Sequence, residues 1–345
     1  MEKEGLSIVI CCYNSESRIA YVLKYLSLQK FKVHIDIEIL VIDNNSSDNT
    51  KLMAYNTWER LGSPFLMKVI FEGQQGLIYA RKSGIRNSIY ENILFVDDDN
   101  LLKSNYVCDG YELLIENPEI GILGGIGIGE FSEQIPTWIN PGWPFKSLLS
   151  SLAVSVKSRI KIGYLSNPSD YIFGAASFYR KKIFSTLEDM NYDIHLTGRK
   201  GNMLISGEDQ ELCYLAKMMG LNLYRSDKIE FFHKIPTERL TKVYFEKLYF
   251  GFGYSSIIID KYISVLSEKS FNLNRLTITT KFKKIILSIF DNLLTKSSNK
   301  FFKLKLLKEF EQGRIEFLNS SIKLQDTLNS IDIINKKLTQ LVEKK

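Results

Sequence analysis

Three consecutive carboxylates, Asp97, Asp98 and Asp99, follow the apolar run Ile93 to Val96 in the stretch "NILFVDDDNLL". Like charges at the end of a buried strand repel one another unless a cation sits among them. A site of carboxylates and water suits Mg2+ or Mn2+, and such an ion commonly bridges acids to substrate phosphates. A second acid, Asp43, ends the apolar run "IEILVID". In open parallel sheets ligands bind beyond the carboxyl ends of the strands. The Asp cluster is therefore expected to hold a divalent cation and, through it, a diphosphate. On spacing alone a plainer reading stays open, in which these acids cap the helix that follows.

These acids need strands to carry them. "LSIVICC", "IEILVID", "MKVIFE" and "NILFVDD" are short apolar runs. Helix-period segments separate them: one with Ile19, Val22, Leu23 and Leu26 on a single face, one over about 49–61, and one carrying Ala80, Ile85 and Ile89. Alternating strands and helices predict a doubly wound, mostly parallel sheet, and continuous apolar runs predict strands buried on both faces. Past about residue 104 a helix near 104–116 precedes "IGILGGIGIGEF". That run lacks a GxGxxG match and reads as a strand with close backbone approach. Residues 130–170 hold Pro136, Trp138, Pro141, Trp143, Pro144 and Pro168, which suggests long loops over a cleft. "DYIFGAASFYRKKIF" reads as strand, turn and helix, and "GEDQELCYLAKMMG" as an amphipathic helix that opens with acids and ends at Gly220.

Taken together, these motifs resemble those of the family 2 glycosyltransferases, inverting enzymes of the GT-A fold. "SIVICCYNSE" looks like their opening strand and turn, "ILVIDNNSSDNT" like their nucleotide-binding Asp motif, and "EGQQGLIYARKSGI" like their Gly-x4-Arg helix start. "FVDDDN" is similar to their Asp-x-Asp motif, "YIFGAASFYRKKIF" to their acceptor-side Gly-Ala segment, and "GEDQELCYLAKMMG" to the Glu-Asp motif that supplies the base. The match runs in order over about residues 6–255. It implies a nucleotide-sugar site built from Tyr13, Asn14, Glu16, Asp43, Gly76, Arg81, Asp97 and Asp98. Asp43 would read the base and Arg81 would face the diphosphate or the Asp cluster. Asp99, Asp97 and His233 of "EFFHKIPTERL" would hold Mn2+ or Mg2+. Asp209, with Glu208 beside it, would be the catalytic base, and Gly174, Ala175 and Trp138 would lie on the acceptor side. The family's membrane-synthase motif Gln-x-x-Arg-Trp is absent, which argues against a polymer-extruding synthase.

The implied activity is inverting transfer of one sugar from a nucleotide-sugar donor to an acceptor hydroxyl, on a glycan or lipid-linked glycan in cell-surface polysaccharide assembly. The alternative is a non-catalytic nucleotide-sugar-binding or scaffold subunit. A sugar nucleotidyltransferase would need a Gly-rich loop with Arg straight after the first strand, and "CCYNSES" has neither. The expected architecture is an α/β GT-A domain over 1–262, with a nucleotide-sugar half to about 104 and an acceptor half from about 105, plus a basic helical extension over 263–345.

Among 345 residues, 45% are hydrophobic and 24% charged, as in ordinary globular chains. The four cysteines show no metal spacing and read as reduced, mostly buried thiols. No basic n-region and apolar h-region open the chain, so a cytoplasmic protein is expected. The net charge of +6 is uneven: residues 275–345 hold 15 Lys+Arg against 7 Asp+Glu, a net of +8. No nucleic-acid-binding pattern accompanies that charge, so no nucleic-acid partner is expected. The tail mixes Lys with Ile, Leu and Phe at helical spacing. It either packs as a helical subdomain or lies on an anionic membrane surface at the inner face of the cell membrane. A helix pair over about 315–342 could also form a homodimer.

Overall fold

The computed structural model describes residues 3–140, 147–156, 160–196, 204–293, 299–320 and 324–343. Pro141, Trp143 and Pro144 lie outside them. The chain forms two compact units that interleave in sequence. The first comprises Met1–Phe131, Leu149–Asn191 and Leu221–Ile235, and the second Ser132–Leu148, Tyr192–Gly220 and Pro236–Lys345.

The first unit opens with β1 (Lys3–Cys12), α1 (Ile19–Ser27), β2 (Ile37–Asp43), α2 (Thr50–Arg60), β3 (Leu66–Phe71), α3 (Leu77–Asn87) and β4 (Tyr90–Asp97). The short β5 (Asn100–Leu102), α4 (Tyr106–Glu116), β6 (Ile120–Phe131), β7 (Gly163–Tyr164), β8 (Ser177–Arg180) and α5 (Lys182–Asp189) follow. After α6 (Glu208–Met218), which belongs to the second unit, β9 (Asn222–Ile235) completes the sheet. Its order is β3-β2-β1-β4-β8-β6-β9-β5, with β7 on β9. β1 runs parallel to β2 and β4, β2 to β3, and β6 to β9, whereas β8, β5 and β7 pair antiparallel to their neighbours. The doubly wound, mostly parallel half is as the alternation predicts, and the glycine-rich run is indeed the strand β6.

Ile8, Ile10, Ile39, Val41, Leu94 and Val96 form one core with Ile19, Val22, Leu23 and Leu26 of α1. Two expectations change. β3 is not buried on both faces: it is the edge strand, and Leu66 and Phe71 are exposed. Ile89 is not on a helix face: α3 stops at Asn87, Ser88 turns extended (φ −70, ψ 128), and Ile89 is exposed.

In the second unit α6 is followed by α7 (Lys242–Leu266), α8 (Leu273–Leu293), α9 (Asn299–Asn319) and α10 (Leu324–Glu343). The hydroxyl of Thr241 caps α7 by accepting from Tyr244 N–H at 3.2 Å. α7 and α9 touch backbone to backbone at glycines. A Cβ on Gly253 would stand 1.9 Å from the Phe310 carbonyl, and one on Gly313 would stand 2.0 Å from that of Phe250. The apolar face of α10, Leu324, Leu328, Ile331, Ile334 and Leu338, is buried, and α10 packs against α6 and α7 of the same chain. Much of the apolar surface that suggested a helix pair for dimerisation is thus used within the chain. No helix among the described residues is long and apolar enough to cross a membrane.

Candidate active site

β1 lies between β2 and β4, so its register aligns the two acid-bearing strand ends. Cys12 pairs with Asp43 and Cys11 with Asp97. Asp43 and Asp97 therefore flank the same strand end, beside the point where the connections reverse direction, where such sheets bind ligands. The Cys11 thiol is pushed up to about 12, chiefly by desolvation, with Asp97 and Asp98 pushing the same way and Arg81 opposing, so the protonated form is favoured beside the acids.

Side chains in the turns lock this edge. Asp43 is buried and its Oδ1 accepts from Ser46 N–H at 3.1 Å. Asn14, in the left-handed region at φ 48, donates its N–H to Ser46 Oγ at 3.0 Å and accepts from Ser47 N–H at 2.9 Å. Tyr13 is half exposed. Glu16 accepts from the N–H of Asn49 at 3.1 Å and from its side-chain amide at 3.2 Å, which ties it to the start of α2. Asn44 was not singled out from the sequence, yet it holds the "GQQG" loop. Its amide donates to Gln74 O at 2.7 Å and its Oδ1 accepts from Gly76 N–H at 2.8 Å. Its position directly after a strand-end acid, in a turn rich in Asn and Ser, was the available signal. Gly76 has φ 136, which L side chains rarely adopt, and α3 begins just after it. That start carries Arg81 inward, buried over the ring of Phe95 at 5.3 Å.

The three Asp carboxylates take different surroundings. Burial pushes Asp97 up to about 6, Asp99 and Asp98 push it the same way, and Arg81 and His233 oppose them. Asp98 is engaged by Arg18, whose Nε donates at 3.1 Å, and by the Ser15 hydroxyl. Asp99 is buried, and its Oδ1 accepts from Asn100 Nδ2 at 3.0 Å. His233 sits opposite Asn100 in the β5–β9 register. Its Nε2 is 3.4 Å from Asp99 Oδ1, and its buried Nδ1 has no hydrogen-bond partner among the described residues. A carboxylate oxygen and an imidazole nitrogen at this separation suit one divalent ion. The cost of ionising Asp97 among its neighbours is what such a cation would offset. Among the described residues, Asp97 does not join Asp99 and His233 in a three-ligand cluster. The three-ligand spacing occurs instead at Cys108, Asp109 and Glu112 of α4, where the Lys32 ammonium stands 2.9 Å from Asp109 and 3.9 Å from Glu112.

On the expected acceptor side, Gly174 and Ala175 precede β8 rather than forming part of it. Ala176 takes φ 48, and the Ser177 hydroxyl donates back to Phe173 O at 2.5 Å, so the segment is a turn.

In the second unit Glu208, Asp209 and Glu211 all lie in the first turn of α6, where the helix dipole favours negative charge. Glu208 is buried and Asp209 half-buried. Asp209 Oδ1 accepts from Gln210 N–H at 2.9 Å. Glu211 was not foreseen. It is wholly buried and accepts from His195 N–H at 3.0 Å, Leu196 N–H at 2.7 Å and the Tyr262 hydroxyl at 2.7 Å. Burial pushes its carboxyl up to about 7, the three donors pull it down, and Glu208 adds a small rise. Trp138 packs edge-on against Phe245 at 5.3 Å and Phe302 at 4.9 Å.

The sequence model described as Glycosyl transferase family 2 matches residues 7–187. Poly-beta-1,6-N-acetyl-D-glucosamine synthase of Staphylococcus epidermidis is 28% identical over 123 residues, 35% of this chain and 28% of that protein. The chain thus spans less than a third of that relative's length. TarS 1-349 of S. aureus, solved with UDP-GlcNAc, is 15% identical with a TM-score of 0.51 over 92% of both chains. The mannosyltransferase PcManGT of Pyrobaculum calidifontis, solved with GDP-Man and Mn2+, is 12% identical with a TM-score of 0.55 over 93% of this chain and 89% of that one. These likenesses concern the fold, which is the GT-A type. With the matched residues covering more than half of the sequence and carrying the acid-ended strands just described, the chain belongs to glycosyltransferase family 2.

Proposed function

We propose that the protein transfers a single sugar, with inversion, from a nucleotide-sugar to an acceptor hydroxyl in cell-surface polysaccharide assembly. The observation that carries this reading is the buried Asp99–His233 contact at the strand end where Asp43 and Asp97 flank β1. Asp43 accepts an N–H of the base, and the Tyr13–Asn14 turn lies beside it. Arg81, held inward by α3, faces the diphosphate side of the Asp cluster. Asp99 and His233, with Asp97 near, would hold Mn2+ or Mg2+, which when bound would offset charge building on the leaving diphosphate. Asp209 takes the proton from the acceptor hydroxyl. The acceptor oxygen then bonds the anomeric carbon as the bond to the diphosphate oxygen breaks, and nucleoside diphosphate leaves. Gly174, Ala175 and Trp138 are assigned to the acceptor side, and the acceptor is a glycan or lipid-linked glycan.

The two fold neighbours were solved with donors that differ in base and sugar. The test is therefore a screen of uridine, guanosine and thymidine donors with Mn2+, read by nucleoside diphosphate release. One donor should be turned over, and Asp99→Asn should abolish it. Donor binding without turnover by any acceptor or by water would instead favour a binding subunit.

A further inference from the structure

α8 carries an apolar stripe on its outward side. Ile278, Phe282, Ile285 and Ile289 are between 54% and 68% exposed, the values expected of polar surface positions. Their spacing of four, three and four residues puts them in one stripe along about 16 Å of helix. The opposite side, Leu276, Thr280, Lys284 and Leu287, is the covered one. Thr280 is buried there, and the Lys284 ammonium donates to Gln312 of α9. A helix that already covers Leu276 and Leu287 on one side, with a threonine and a lysine, and still turns three isoleucines and a phenylalanine toward water is patterned for a second contact.

Charge indicates what makes that contact. At 100° per residue Arg275 lies about 60° to one side of Ile278 and Lys281 about 60° to the other. Both are exposed, so the stripe runs between basic flanks. Across the helix four basic residues, Arg275, Lys281, Lys283 and Lys284, stand against one acid, Asp291. A second copy packed on the same stripe would bring these like-charged flanks together, whereas an anionic surface would pair with them. The helix is not apolar enough to span a bilayer, but an apolar stripe with cationic edges suits lying in the headgroup layer.

We propose that the outward face of α8 docks the protein on an anionic phospholipid surface, with Ile278, Phe282, Ile285 and Ile289 entering the interface and Arg275 and Lys281 meeting headgroup phosphates. The proposal stands on this face alone and is independent of the sugar-transfer reading.

The test is co-sedimentation of the full chain with phosphatidylcholine vesicles, with and without phosphatidylglycerol, at physiological ionic strength. Binding should require phosphatidylglycerol. It should fall at least about tenfold in the double variant Phe282→Ser, Ile285→Ser, because association scales with the apolar area inserted. Lys281→Glu should also weaken it. Both sites are exposed, so thermal melting should be unchanged, and an unchanged melt makes loss of binding a surface effect. Phe282→Trp should show a blue-shifted emission on vesicle addition, which reports insertion even if the double variant fails to fold. Equal binding to neutral vesicles, equal binding by the double variant, or no emission shift overturns the proposal. So does a wild-type dimer that the double variant converts to monomer without any vesicle binding by either, since the face then belongs to a second copy.

Discussion

His233 Nε2 stands 3.4 Å from Oδ1 of Asp99, and the pair is brought together by antiparallel pairing of the three-residue strand β5 with β9. The strand contact places a histidine beside the turn that carries the Asp cluster, and nearly every atom of the pair is removed from water. A buried carboxylate–imidazole pair of this kind has a direct thermodynamic consequence for cation binding.

Asp99→Asn and His233→Ala should each weaken Mn2+-dependent binding of nucleoside diphosphate. Even an outer partner of a metal ligand is worth roughly 10- to 100-fold in metal affinity, so loss of a ligand should cost at least that. Calorimetric titration of UDP and GDP, with Mn2+ and again in EDTA, measures it. The variants should differ from wild type only with the metal present. An equal loss in EDTA would show that the two residues act on the nucleotide or the fold directly.

Asp209→Asn should lower turnover by roughly 10²- to 10⁴-fold, the usual contribution of a general base. Affinity for nucleoside diphosphate should stay near wild type, because the proposed base acts on the acceptor. Glu208→Gln is the control for lost charge in the same helix turn. Near-normal turnover in Asp209→Asn with loss in Glu208→Gln would move the base to Glu208.

Glu211 should contribute a loss of stability as pH rises from about 4.5 to about 7, because it titrates there. The unfolded chain releases the Glu211 proton near 4.5, whereas burial raises the folded value to about 7. Between those values the folded state binds more protons than the unfolded, so stability decreases with pH and then levels off. The part due to this carboxyl is on the order of 3 kcal/mol. Glu211→Gln should flatten the decline, read as urea midpoints across that window. An unchanged slope in the variant would refute the assignment.

Gly253→Ala should destabilise the chain, because its Cβ would meet the Phe310 carbonyl at 1.9 Å and two helix backbones would have to separate. Overpacking of this kind costs about 1–3 kcal/mol. Gly73→Ala is the control, since its Cβ would find only the Phe71 ring, at 3.4 Å. Melting temperatures compare the two, and a Gly253→Ala protein as stable as the control would mean that α7 and α9 do not meet backbone to backbone at Gly253.

Much of the architecture around the acid-ended strands was legible in the sequence, because it is local. Apolar runs of strand length ending in Asp43 and Asp97 announce themselves by composition, and parallel alternation with helices then forces both acids to one end of the sheet. The roles of Asn44, Arg18 and Glu211 were not legible. Each is a polar residue whose partner lies far along the chain or in a loop: Gln74 and Gly76 for Asn44, Asp98 for Arg18, and Leu196 and Tyr262 for Glu211. Glu211 in sequence is one more acid in a helix's first turn, and only packing takes it out of water and raises its pKa. The same holds for the tail. Helical period and positive charge were evident in the letters, but α8 and α10 carry similar apolar stripes. Only the tertiary structure turned that of α10 inward against α6 and α7 and left that of α8 facing out, because burial depends on what a face meets and not on the face itself.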